Sequence, residues 1–320
     1  MLFEKTIQGL YRQNVCIRQD NAGGIFYFGP GDFPGLQAHP YGFRARGGYD
    51  LNGFFYCYDN PIPGRLVVFD HGMGNGHRAY MREIERLCRA GFLVFSYDHT
   101  GCMRSGGDGC NGFATSLSDL DACISALKAE PGIQDRTISV VGHSWGGFST
   151  MNISAIHPEI THVVSMSGFV SVEQIVNQSF SGLLSPYRAG ILALERSFNP
   201  EYVAFSAIHS LRKSKAQVLL IYSDDDKTVS KAHHFDLLQR SLADRENIRF
   251  LLLSGKDHNP TYTDAAVVYK NAFFKAYQKG LKRRTTPEQV KAFMDGFDWW
   301  KMTEQDEAVW EQIIAHLRGQ

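Results

Sequence analysis

From about residue 50 the chain alternates short, unbroken apolar runs with longer stretches whose apolar residues recur every three or four positions. The runs are LVVF (66–69), FLVFSY (92–97), TISVVG (137–142), HVVSMSG (162–168), QVLLIYS (217–223) and NIRFLLL (247–253). Continuous Val, Leu, Ile and Phe, rather than every second position, fits strands buried on both faces, as in a parallel sheet. The stretches between them predict helices near 77–90, 116–129, 146–157, 230–243 and 262–280. LNGFFYCY (51–58) reads as an earlier, antiparallel strand. Strands and helices in this alternation predict an α/β protein with a mostly parallel sheet and helices on both faces.

Two segments break the rhythm. Residues 171–216 stand where one short helix is expected, and Ser171-x-x-Gln174 reads as a capping box that opens them. This insertion carries Phe180, Tyr187, Phe198, Tyr202 and Phe205 and predicts a cap over a site. Further on, Thr286-Pro287-Glu288-Gln289 and Thr303-Glu304-Gln305-Asp306 each announce a new helix. In the last one Trp310, Ile313, Ile314 and Leu317 make one apolar stripe, expected to dock on the main body. The expected organisation is an N-terminal extension (1–40), a core (41–170 and 217–282), a cap (171–216) and a C-terminal helical extension (283–320).

Composition narrows the function classes. The 33 basic and 33 acidic residues cancel, which removes bulk attraction to nucleic acid or anionic membrane. The run Lys282-Arg283-Arg284 reads as a solvated helix end. Six cysteines (Cys16, Cys57, Cys88, Cys102, Cys110 and Cys123) include no Cys-x-x-Cys pair, so neither a disulfide scaffold nor a zinc knuckle is expected. The first residues lack the features of a signal peptide, and no window approaches the ~18 apolar residues of a membrane span. A cytoplasmic protein with reduced thiols is the expectation; the pattern fixes no oligomeric state.

The chemistry centres on Gly142-His143-Ser144-Trp145-Gly146. Gly-x-Ser-x-Gly alone arises often by chance, but here it follows an apolar run and precedes a helical stretch, the strand–turn–helix setting the motif requires. A serine on a tight turn at a helix N-terminus is exposed above the sheet where negative charge is favoured. The competing reading is a glycine-rich turn with an idle serine. A serine needs a base. Of the late histidines, His233 and His234 fall in a predicted helix and His316 on the terminal one, which leaves His258, in the loop straight after a strand. The base needs a carboxylate to orient it, and Asp224-Asp225-Asp226 follow the strand QVLLIYS; the other two acids would cap a helix or lie in a solvated acidic turn. Oxyanion donors are expected from the N–H of Trp145 and, after the strand LVVF, from that of Met73. His71 and His77 could suggest a metal, but no carboxylate or cysteine accompanies them in the run, so no metal is expected. Gly107-x-Gly109-x-x-Gly112 matches a dinucleotide fingerprint formally, yet it lies past its strand and before the helix start expected at Ser116-x-x-Asp119.

Over roughly residues 50–280 the sequence resembles the α/β-hydrolase superfamily, with HGMG, YDHTGCMRS, GHSWGG, Asp226-Lys227-Thr228-Val229 and GKDH in that family's order. The resemblance selects Asp226, three residues before an aliphatic one, ahead of Asp225. YDHTGCMRS (97–105) looks like the family's D-x-x-G-x-G-x-S loop with Met103 in place of the second glycine, a departure from the monoglyceride-lipase-like branch. The helices beyond 283 lie outside the family's usual pattern. The resemblance implies a serine hydrolase acting on a small-molecule ester or acyl substrate, with Ser144, His258 and Asp226 as triad and no cofactor. A peptidase, for which Glu173, Glu195 or Glu201 could hold an amino group, a thioesterase or acyltransferase, and a non-catalytic binding module are the alternatives.

Overall fold

The computed structural model describes residues 2–20, 26–74, 76–281 and 286–320; the basic run at 282–284 lies outside them. Helix α1 (Leu2–Val15) is followed by strands β1 (Gln37–Arg44), β2 (Asp50–Cys57) and β3 (Arg65–Asp70). Helix α2 (Met81–Arg89) leads to β4 (Leu93–Tyr97), α3 (Thr115–Ala129) to β5 (Thr137–His143), and α4 (Trp145–Ile153) to β6 (His162–Met166). Helices α5 (Val172–Ser179), α6 (Arg188–Phe198) and α7 (Ala207–Lys213) precede β7 (Gln217–Ser223). After α8 (Phe235–Leu242) and β8 (Ile248–Leu253) come α9 (Asp264–Leu281), α10 (Pro287–Met294), α11 (Trp299–Met302) and α12 (Glu307–Arg318).

All eight strands join one sheet in the order β1-β2-β4-β3-β5-β6-β7-β8. Strand β2 runs antiparallel to β1 and β4, and the remaining pairs are parallel. The unbroken apolar runs serve two cores at once. Val68, Val140, Val163 and Leu220 pack on one face with α3 and α4. Their neighbours Val67, Val141, Val164, Leu219 and Ile221 pack on the other with Ile84 and Leu87 of α2 and Trp310, Ile313 and Leu317 of α12. The terminal stripe therefore covers the sheet itself. Each such fully buried side chain contributes about 1.5–3 kcal/mol.

Several local features differ from expectation. Strand β1 crosses residue 40 and adds an edge strand that no apolar alternation announces: only Phe43 of its eight residues is buried. Ser171 caps α5 by accepting from Gln174 N at 3.1 Å, but the Gln174 side chain donates to His233 O instead of returning, so half the box forms. Helix α3 starts at Thr115, one residue early, and Asp119 inside it accepts from Thr100 N (2.7 Å) and Oγ1 (2.9 Å) rather than capping. Asp306, not Thr303, caps α12, while Thr303 ends α11. His233 and His234 sit in the turn before α8, His234 as its N-cap.

Candidate active site

Ser144 stands between β5 and α4 with φ +55° and ψ −109°, a left-handed backbone that a non-glycine residue adopts only under constraint. Two bonds impose it: Ser144 N donates to Met166 O (2.8 Å) and Phe148 N to Ser144 O (3.0 Å). The flanking glycines are obligatory; a Cβ on Gly146 would collide with the Asp70 carbonyl. The hydroxyl ends 2.9 Å from His258 Nε2, and His258 Nδ1 lies 2.7 Å from Asp226 Oδ2. The order of these contacts has the hydroxyl donating to Nε2 and Nδ1–H donating to the carboxylate. Asp226 is buried, and its other oxygen accepts from Thr228 N (2.8 Å) and Val229 N (3.0 Å).

The three consecutive aspartates divide their work. Asp225 accepts from Ser223 Oγ (2.5 Å) and Asp257 N (2.9 Å), and Asp224 from Ser254 Oγ (2.7 Å). Both therefore stitch the β7 turn to the loop that carries His258. Burial raises the Asp225 carboxyl, and the Ser223 and Asp257 bonds outweigh it, so the group lies below its ordinary range.

Trp145 is the first residue of α4, where the main-chain N–H precedes the first intrahelical bond and is available to a negative charge. Its indole Nε1 donates to Phe113 O at 2.6 Å, which locks the ring. Met73 lies on the loop after β3, half-buried. Under this loop His71 is fully buried with both nitrogens engaged: Nδ1 faces Gly72 O (2.7 Å) and Nε2 accepts from His99 N (3.1 Å). Burial drives His71 well below the usual histidine range, so it is neutral. His77 is likewise engaged, by Asp98 (2.7 Å) and the Tyr56 hydroxyl (2.9 Å). Among the described residues no cluster of three or more His, Cys, Asp or Glu is placed to hold a metal ion.

Sequence reasoning passed over two residues, His143 and His99, and gave a third, Glu195, a different role from the one its contacts show. His143, the variable residue before the serine, bonds the His258 backbone and the Tyr80 hydroxyl. His99 is buried between Asp70 (3.1 Å) and Asp119 (3.3 Å) beneath the Trp145 ring, and although burial lowers its pKa the two carboxylates raise it to about 9. Glu195 of α6 accepts from the Tyr11 hydroxyl (2.5 Å) and Phe113 N (2.9 Å). That contact also explains Gly112, whose φ of +87° and lack of Cβ admit the Glu195 carboxylate; the formal dinucleotide fingerprint is a packing feature. Met103, the residue in place of the family glycine, adopts φ +47°.

Residues 61–202 match the family described as serine aminopeptidase, S33. A monoglyceride lipase homolog of monkeypox virus is 30% identical over 131 residues, 39% of this chain and 46% of that protein, so the match spans under half of that relative. Esterase YjfP of Escherichia coli K12 is 26% identical over 279 residues, 83% of this chain and 94% of the relative. Among solved structures, the Pyrococcus furiosus esterase Pf2001 superposes with a TM-score of 0.58 at 18% identity, covering 82% of this chain and 96% of that one. Acetyl xylan esterase 1 from Thermoanaerobacterium gives 0.50 at 15% identity, with 77% and 84% coverage.

Proposed function

We propose that the chain, which has the α/β-hydrolase fold and matches the serine aminopeptidase, S33 family over residues 61–202, is a serine hydrolase that cleaves carboxylic esters through an acyl-enzyme on Ser144. The observation that carries this reading is the unbroken chain Asp226–His258–Ser144, with contacts of 2.7 and 2.9 Å. Ser144 Oγ attacks the ester carbonyl carbon as His258 Nε2 takes its proton. The N–H groups of Met73 and Trp145 receive the oxyanion, and Asp226 holds the imidazolium. The intermediate collapses with the His258 proton passing to the leaving alcohol oxygen. Water then gives a proton to His258 and attacks the acyl carbon; the carboxylic acid departs as Ser144 regains its proton. Every step is met by these side chains and water, so no cofactor is invoked.

The ester reading is favoured over an aminopeptidase by the fate of the cap acids. Glu195 is buried and committed to Tyr11 and Phe113. Glu173 is exposed, and Glu201 lines a separate hollow beside His209 and Lys213. Of the three, Glu195 is held by contacts of its own that leave it no lone carboxylate for a substrate's ammonium group.

Treatment with a fluorophosphonate probe, followed by peptide mapping, tests the proposal. Stoichiometric labelling of Ser144 that disappears in His258→Ala, together with turnover of aryl esters over aminoacyl anilides, is expected. A folded protein that neither labels nor hydrolyses esters would sink it.

A further inference from the structure

Beyond His258 the chain makes an excursion whose two ends are pinned together. Tyr262 and Gln305 form an antiparallel bridge, Thr263 N donates to Glu304 O (3.0 Å) and Asp306 N to Thr261 O (2.7 Å). Residues 264–303, comprising α9, α10 and α11, thus leave and return at one place, ahead of the sheet-covering α12. They carry a small core of their own, Phe273, Met294 and Met302 packed with Phe293, Phe297 and Trp299. This is an insertion separate from the cap at 171–216, and it borders the loops of the site.

A cavity of about 140 Å³ lies between the insertion, residues 26–28 and Met73. Its wall is largely aromatic: Phe26, Phe28, Tyr80, Phe273, Phe274 and Trp299. A second chamber of about 260 Å³ has His258 on its wall and shares Asn259, Lys270 and Phe274 with the first. An engineered apolar cavity of ~150 Å³ holds benzene, so the first chamber has room for one six-membered ring. Lys270 stands where the chambers meet. Its ammonium donates to Asn259 Oδ1, a neutral acceptor, and lies 5.1 Å from the centre of the Tyr262 ring and 5.9 Å from that of Phe274.

We propose that the 264–303 insertion builds a leaving-group subsite, which takes a ring-sized alcohol bearing an anionic substituent, such as a phenol with a ring carboxylate. This rests on the ester-hydrolase reading and names its substrate class. The direction follows from the chemistry: His258 must hand its proton to the leaving oxygen, so the leaving group lies on the His258 side, where the second chamber has His258 on its wall and the first adjoins it through Asn259, Lys270 and Phe274. The aromatic wall stacks on a ring. The hydrogen bond that Lys270 makes goes to a neutral amide oxygen and not to a carboxylate, so a bound carboxylate gains a charge-assisted hydrogen bond there. Consistent with this, burial pulls the Lys270 ammonium down to about 8 against the opposing pull of Glu83 and Asp257, and a bound anion would restore it. The exposed Arg78 on the rim adds a second positive charge.

Titrating 4-hydroxybenzoate and, separately, phenol into full-length Ser144→Ala protein reads the subsite without turnover. 4-Hydroxybenzoate is expected to bind about tenfold more tightly than phenol. Adding Lys270→Met should bring the two within about twofold, Lys270→Arg should keep the preference, and Phe274→Ala should weaken both ligands. Equal affinities, no binding of either ligand, or a preference untouched by Lys270→Met would overturn the proposal. Fluorophosphonate labelling of Ser144 in the parent protein separates the failures. Labelling without ligand preference removes the subsite alone, and preference without labelling removes the ester chemistry alone.

Discussion

His143 donates from Nε2 to the main-chain carbonyl of His258 across 2.6 Å, so the residue just before Ser144 grips the backbone of the imidazole that faces the serine. The Tyr80 hydroxyl stands 2.9 Å from the other nitrogen, and burial holds His143 far below the usual histidine range. The ring is therefore neutral, with its proton on Nε2 and Nδ1 accepting from Tyr80. The end of strand β5 and the loop after β8 are thereby tied by one hydrogen bond, next to the 2.9 Å Ser144–His258 contact. Gly72 belongs to the same arrangement, because a Cβ there would strike the Tyr80 hydroxyl.

Replacing His143 by Phe keeps volume and removes the donor. We expect kcat on an aryl ester to fall about 10- to 100-fold with KM within about threefold, since a small misplacement of a base costs rate more than binding. His143→Asn, which can still present an N–H, should recover part of the loss. The rate of fluorophosphonate labelling should fall in step with kcat; an unchanged labelling rate would show that the bond only stabilises the fold.

The divided roles of the aspartates give a sharper test of the candidate triad. Asp226→Asn should lower kcat by about 10³- to 10⁴-fold while leaving the fold intact, because the amide favours the wrong imidazole tautomer. Asp225→Asn removes a charge that ties Ser223 to Asp257 and should cost less than about tenfold, with a lower unfolding midpoint in urea. Reversal of that order in steady-state kinetics would move the role of acid to Asp225.

What was legible in the chain follows from the range of the interactions. Strands buried on both faces announce themselves as runs, and β3 to β8 lie where those runs stand. Strand β1 does not: Gln37-Ala-His-Pro-Tyr-Gly-Phe-Arg is an edge strand, mostly exposed, with a proline that an edge tolerates. Ser144 and His258, which lie 2.9 Å apart, could be singled out as candidates because each lies in the stretch that follows directly on a strand. The His143–His258 bond and the Glu195 latch join residues far apart in sequence, and no local periodicity encodes them. The same holds for the pinned ends of the 264–303 insertion. Three residues at 261–263 pair with three at 304–306, so helices that read as a plain continuation are set aside from the sheet, while α12 covers it.

The place of α12 in the core is testable by contrast. Trp310 is fully buried against the sheet, whereas Trp300, beside the Phe28 and Phe33 rings, remains 47% exposed. Trp310→Ala should lower the unfolding free energy by about 3–5 kcal/mol, as large-to-small core substitutions do. Trp300→Ala should cost about 1 kcal/mol or less. Urea titrations of the two variants read this directly, and equal costs would place α12 outside the cooperative core.

Glu195 links three parts of the molecule: α1 through Tyr11, the loop after β4 through Phe113 N, and, by way of Phe113 O, the indole of Trp145. Burial raises its carboxyl from about 4.5 to about 7, against the hydrogen bonds from Tyr11 and Phe113 that favour the charged form. Between those two values the unfolded chain has released a proton that the folded protein still holds, so this group's contribution to stability falls as pH rises through the window and is constant outside it. Glu83, also raised to about 7 by burial, acts in the same direction. Buried neutral histidines, His71, His143, His234 and His316, act in the opposite one, since they lie below their ordinary value. The slope of the whole stability curve is therefore uninformative, and the difference between two proteins isolates one group. Glu195→Gln is neutral at every pH. Its unfolding free energy minus that of the parent should rise by up to about 3 kcal/mol between pH 4.5 and 7.5 and stay flat below pH 4. A difference that does not change with pH would mean that folding leaves the Glu195 carboxyl at its unfolded value, and that burial does not hold its proton.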